Sequence, residues 1–105
     1  MNTAQDAAPG GGCARRAEVA TANASRYLQQ LCKHFGHRVP VTFDPTDGQI
    51  SFAAGDCTLH AEGEVLSIRV AGPGAAEAAQ LEDVVARHLV RFAFREDLAI
   101  AWQEA

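Results

Sequence analysis

The chain lacks the makings of a disulfide framework. Its three cysteines, Cys13, Cys32 and Cys57, are odd in number and form no CxxC pair. Reduced thiols of this kind fit the cytosol. Excess positive charge is also missing. Nine Lys and Arg stand against thirteen Asp and Glu, for a net charge of −4, which argues against general nucleic-acid binding by counterion release. No stretch approaches the roughly 18 apolar residues of a membrane span. No apolar run follows a basic start, and no hydrophobic segment precedes Cys13. Neither a signal peptide nor a lipoprotein cysteine is therefore expected, and the expected location is cytoplasmic, with no membrane partner.

Catalytic signatures are equally scarce. Gly72-Pro73-Gly74 precedes a helical segment but lacks the Lys and Ser or Thr of a phosphate-binding loop. No Cys-His-acid arrangement is readable. Cys32 falls near a helix C-terminus, and Cys57 falls on an inward strand position, and both settings disfavour a thiolate. No carboxylate pair shares a helix face in a setting that would raise a pKa. These gaps point to a protein that is not an enzyme and carries no cofactor.

What is present is enough for one folded unit. With 105 residues and 48% hydrophobic content, there is room for a single core that needs neither disulfide nor metal. Residues 1–16, rich in Ala and Gly with Pro9 followed by three glycines, read as a disordered tail. Residues 17–105 read as one α+β domain. Ala17, Val19 and Thr21 alternate as a short strand. Thr21 or Asn23 can cap a helix whose stripe is Ala24, Tyr27, Leu28, Leu31, Cys32 and Phe35, at i, i+3, i+4, i+7, i+8 and i+11. Gly36 suits a left-handed position past its end, and Pro40 prevents resumption.

Four alternating segments follow, centred on Val41, Ile50, Leu59 and Ile68, with turns at Pro45–Gly48, Gly55–Asp56 and Gly63. A long helix is expected from about Ala75 to about Asp97, with Leu81, Val84, Val85, His88, Leu89 and Phe92 on its apolar face. Trp102 then folds back onto something apolar. The order is β-α-β-β-β-β-α. One strand face is apolar, and the other carries Glu18, Thr42, Gln49, Ser51, Thr58, His60, Glu62, Ser67 and Arg69. That wet face has no aromatic pair, so it is no platform for stacked RNA bases. A two-layer sandwich follows, with an antiparallel sheet of about five strands and both helices on one face.

Two segments stand out once placed on the helices. They are Arg26-Tyr-Leu-Gln-Gln-Leu-Cys-Lys-His-Phe-Gly-His37 and His88-Leu-Val-Arg-Phe-Ala-Phe-Arg-Glu96, with Trp102 six residues on. Together with the Gly48-Gln-Ile-Ser-Phe52 strand, they resemble a bacterial family known as domain of unknown function 2218. The resemblance runs from about Ala17 to Trp102. Some members look to be joined to flavin-dependent siderophore-interacting reductases. This implies a link to iron or siderophore handling, with a ferric chelate or a reductase as partner.

Three residue clusters invite a function. Cys32, His34, His37 and His88 are metal-ligand types, but Cys32 and His34 point about 160° apart on a helix. Their plainer role is core packing by Cys32 and dipole matching by the histidines. His88 sits in an apolar stripe, either as a ligand group or as a core imidazole with one nitrogen satisfied. Arg87, Arg91 and Arg95 recur at i, i+4 and i+8, either as a cationic ridge for an anion or as a complement to the helix dipole.

The favoured reading is a binding or accessory module for an anionic small ligand at the shared helix ends. Arg91, Arg95 and His37 would contact the anion, with His34 and His88 positioning it or touching a metal. Two alternatives stay open. One is a homodimer through Val90 and Phe94, unless Trp102 covers them. The other is a metalloprotein built on Cys32 and the histidines.

Overall fold

The computed structural model describes residues 12–105. Its elements, in chain order, are β1 (Cys13–Ala20), α1 (Ala24–Phe35), β2 (Val41–Phe43), β3 (Asp47–Phe52), β4 (Gly55–Glu62), β5 (Val65–Gly72), α2 (Ala75–Phe92) and β6 (Gln103–Glu104). The expected tail falls mostly on residues 1–11, outside the described residues. Its last four, Cys13 to Arg16, belong to the domain instead, because β1 pairs with β5 from Cys13↔Gly72 onward.

The strands form a single antiparallel sheet in the order β2-β3-β4-β5-β1-β6. Strands β2 to β5 are the expected meander. The chain enters at β1, crosses the sheet through α1 to the far edge at β2, and returns strand by strand until β5 pairs with β1. The sixth strand, not anticipated from the sequence, is two residues long and pairs Gln103 and Glu104 with Arg16 and Arg15. Among the described residues no helix is long and apolar enough to cross a membrane.

Alternation decides which strand face is buried. Val19, Ile50, Cys57, Leu59, Leu66, Ile68 and Val70 form one core with Leu28, Leu31, Cys32 and Phe35 of α1 and Leu81, Val85 and Leu89 of α2. Both helices therefore cover the same side of the sheet, as their single apolar stripes require. The opposite face is wet. There Glu18, Ser67, His60 and Asp47 line up in one row across β1, β5, β4 and β3. Trp102 does fold back, packing half-buried against the core, while Val90 and Phe94 stay exposed.

Three local expectations are corrected. Gly48 is not a turn residue. It is the second residue of β3, on the inward side, where an added Cβ would lie 2.7 Å from Cys32 Sγ and 3.3 Å from Leu28 Cδ2. The close approach of α1 is what demands glycine there. Gly36 is right-handed, at φ −62°, because the chain keeps turning until Arg38 and Val39 have both donated to the Phe35 carbonyl. The third correction bears on function: α2 stops at Phe92 rather than near Asp97. Ala93 leaves the helical conformation and sinks into the core, and the chain turns back toward the start of α1.

Candidate functional site

The two helices run antiparallel along their seam, so the C-terminal end of α1 meets the last third of α2. Leu31, Cys32 and Phe35 face the core, which leaves His34 on the flank toward α2. Its ring centroid lies 4.9 Å from that of His88 and 5.5 Å from that of Phe92, edge-on to the latter. Phe35 completes the group at 4.8 Å from His88. Beside these rings an open cleft of about 420 Å³ is lined by His34, Phe35, His37, Arg38 and His88.

The protonation of this pair has a physical basis. His88 Nδ1 lies 2.7 Å from the Val84 carbonyl oxygen, one turn earlier in its own helix. A carbonyl only accepts, so this nitrogen carries a proton and donates. In the neutral ring Nε2 is then left with a lone pair. The plainer reading of His88, one nitrogen satisfied within a half-buried setting, is what the geometry shows. His34 is held below the ordinary histidine range, first by burial and then by the charges of His88, His37, Arg38 and Arg91. An anion in the cleft would oppose the second of these effects.

The five residues singled out from sequence divide. His34, His37 and His88 line one cleft, and Arg91, one turn beyond His88, adds its charge there. Arg38, not among the five, completes the lining. Arg95 is elsewhere. Because α2 ends at Phe92, the i, i+4, i+8 ridge stops at Arg91, and Arg95 lines a second cleft with Arg26, Tyr27 and Gln30. Arg87 is already paired with Asp83 at 2.9 Å. The Cys32–histidine metal set does not converge. Cys32 is buried against the Gly48 backbone, and desolvation pushes its thiol up to about 11. Among the described residues no three His, Cys, Asp or Glu side chains gather to hold a metal ion.

Sequence reasoning missed the group that fixes the seam. Glu96 does not pair with its sequence neighbour Arg95. Instead its Oε1 accepts from Thr21 Oγ1 at 2.9 Å, and its Oε2 accepts from Asn23 Nδ2 at 2.8 Å and from the Tyr27 hydroxyl. Tyr27 is the foremost of the donors that hold the carboxyl below the usual range. The carboxylate also sits at the N-terminal end of α1, where the helix dipole favours it. One signal was available: Tyr27 and Glu96 lie at the two extremes of the paired segments Arg26–His37 and His88–Glu96.

Residues 16–103 match the model of a family described as an uncharacterized protein conserved in bacteria, DUF2218. The chain belongs to this family. Its fold resembles the NMR structure of PA4090 from Pseudomonas aeruginosa, with a TM-score of 0.74 and 37% sequence identity over 87% of this chain and 95% of that one. No curated protein matches. In this DUF2218 domain the two characteristic segments are therefore the two sides of one seam, joined by His34–His88 at one end and Tyr27–Glu96 at the other.

Proposed function

We propose that this DUF2218 domain is a non-enzymatic binding module that takes an anionic small ligand in the imidazole cleft. One observation carries the reading. Arg15, Arg16 and Arg87 each have a carboxylate partner, yet among the described residues neither Arg38, which lines the imidazole cleft, nor Arg91, whose charge reaches His34, enters an ion pair; Arg26, Lys33, Arg69 and Arg95 are unpaired as well but lie outside that cleft. In a chain of net charge −4, acidic partners are not scarce, so two unpaired arginines beside one group of imidazoles are a local arrangement. Arg38, Arg91 and His37 contact the anion. His34 and His88 present ring N–H groups once protonated, and His88 keeps a fixed orientation through Val84. The buried thiols, pushed up to about 11 for Cys32 and about 12 for Cys57, support a role without covalent chemistry.

The family resemblance makes a carboxylate- or catecholate-bearing ferric chelate the first ligand class to test, with a reductase as the protein that delivers or receives it. Titration calorimetry with citrate and with ferric citrate tests the site. Binding should be saturable. It should weaken by about tenfold or more in Arg38→Ala/Arg91→Ala, as loss of charge-assisted hydrogen bonds implies, while the melting temperature stays near that of the parent. Absence of saturable binding by either probe, or variants that unfold, would overturn the assignment.

A second reading is self-association through Val90 and Phe94, which are 52% and 74% exposed. Light scattering after size exclusion decides it, since a strict monomer at all concentrations removes it.

A further inference from the structure

The seam holds a second cleft that the proposed function does not use. It measures about 380 Å³ and is lined by Asn23, Arg26, Tyr27, Gln30, Phe92, Phe94, Arg95 and Glu96. Phe92 connects it to the imidazole cleft, since that ring also lies against His34. Three features set it apart from an ordinary surface hollow.

First, its two guanidinium groups, Arg26 and Arg95, have no ion-pair partner among the described residues. The carboxylate that faces them, Glu96, has both oxygens taken by the neutral donors Thr21, Asn23 and Tyr27. Second, Phe94 is 74% exposed, and the Arg95 guanidinium carbon lies 5.3 Å from its ring centroid. This cation–π contact holds the arginine beside an aromatic surface. Third, Gln30 Oε1 is buried without a hydrogen-bond partner. Buried acceptors are rarely left unmatched, and because the Gln30 side chain also lines the cleft, a turn of its amide would offer this one to a donor bound there.

We propose that this second cleft is a subsite for an aromatic anion: a planar ring bearing a carboxylate and, across the ring, a hydroxyl or N–H donor. Arg26 and Arg95 take the carboxylate, Phe92 and Phe94 take the ring, and Gln30, its amide turned toward the cleft, accepts from the donor through Oε1. The volume suits one substituted ring. A plain carboxylate would leave the phenyl groups and Gln30 unused, and an uncharged ring would leave the arginines unused.

The test is two-dimensional NMR of the full chain, titrated with 4-hydroxybenzoate, cyclohexanecarboxylate and, for the imidazole cleft, citrate. The expected result is that 4-hydroxybenzoate shifts the Gln30 side-chain amide and the backbone of residues 92–96, and binds about tenfold or more tightly than cyclohexanecarboxylate, which lacks both the π face and the donor. Arg26→Gln/Arg95→Gln should weaken 4-hydroxybenzoate by a similar factor and leave citrate where it was. Phe94→Ala should reduce the preference for the aromatic ring. Equal affinity for the two ring acids would overturn the proposal, as would shifts confined to His34, His37 and His88, or no effect of the arginine pair. If citrate fails to bind while 4-hydroxybenzoate behaves as described, the imidazole-cleft reading falls and this one stands.

Discussion

Substituting Gly48 by alanine is the sharpest test of how α1 is seated on the sheet. The added Cβ would lie 2.7 Å from Cys32 Sγ, 3.3 Å from Leu28 Cδ2 and 3.4 Å from Phe43 Cβ. The first distance is about an ångström inside ordinary carbon–sulfur contact, and Cys32 and Leu28 are fully buried. Relief requires α1 to lift from β3 or Cys32 to leave its rotamer. Overpacking of this kind costs about 1–3 kcal/mol, and in a domain of this size each kcal/mol lowers the melting temperature by roughly 4–8 °C.

The Cys32→Ala partner variant makes the argument specific. Alone it removes one buried atom and costs about 1 kcal/mol. Combined with Gly48→Ala, the new methyl occupies space that the sulfur vacates. The double variant should therefore be more stable than the sum of the singles predicts, by about 1 kcal/mol or more. It should not reach the parent, because Leu28 and Phe43 still crowd the methyl. Urea unfolding followed by far-UV circular dichroism and by the single tryptophan, Trp102, gives the four free energies. Additive losses, or a Gly48→Ala variant as stable as the parent, would refute the close approach of helix and strand.

Further outcomes follow from the hydrogen-bonded and buried groups. Tyr27, Asn23 and Thr21 depress the Glu96 carboxyl, so its stabilisation is complete above the unfolded value of about 4.3 and is lost as pH falls through the lower folded value. The stability gap between parent and Glu96→Gln should accordingly narrow in acid and be widest near neutrality, as denaturant melts at several pH values would show. His60 carries the opposite sign. Asp47 and then Glu62 hold it above the ordinary range, so its contribution is full below about pH 6.5 and fades as pH rises through the higher folded value. An NMR titration should find the His60 pKa lowered in Asp47→Asn. Cys32 and Cys57, pushed up to about 11 and about 12 by burial, should resist a thiol reagent at pH 8 in the native protein. Half-buried Cys13 should react first, and the other two only after denaturant is added.

Much of the architecture is written in local periodicity. Alternation around Ile50, Leu59 and Ile68 marked the meander, and the Tyr27–Leu31–Phe35 stripe marked α1, because burial on one face imposes a period that the chain itself displays. The two segments that carry the family resemblance are legible by their residues rather than by periodicity, and His34, His37 and His88 all fall within them. The tertiary structure alone decided the rest. No glycine or proline ends α2. It ends because Ala93 fits the core and Glu96 finds donors on Tyr27, Asn23 and Thr21, about seventy positions earlier in the chain. That turn carries Arg95 away from Arg91 and divides one expected site into two clefts. Gly48 likewise reads as a turn residue in the sequence, and only the packing of α1 above it explains the glycine. In both cases the deciding partner is remote in sequence and near in space, and no local spacing rule can encode a partner of that kind.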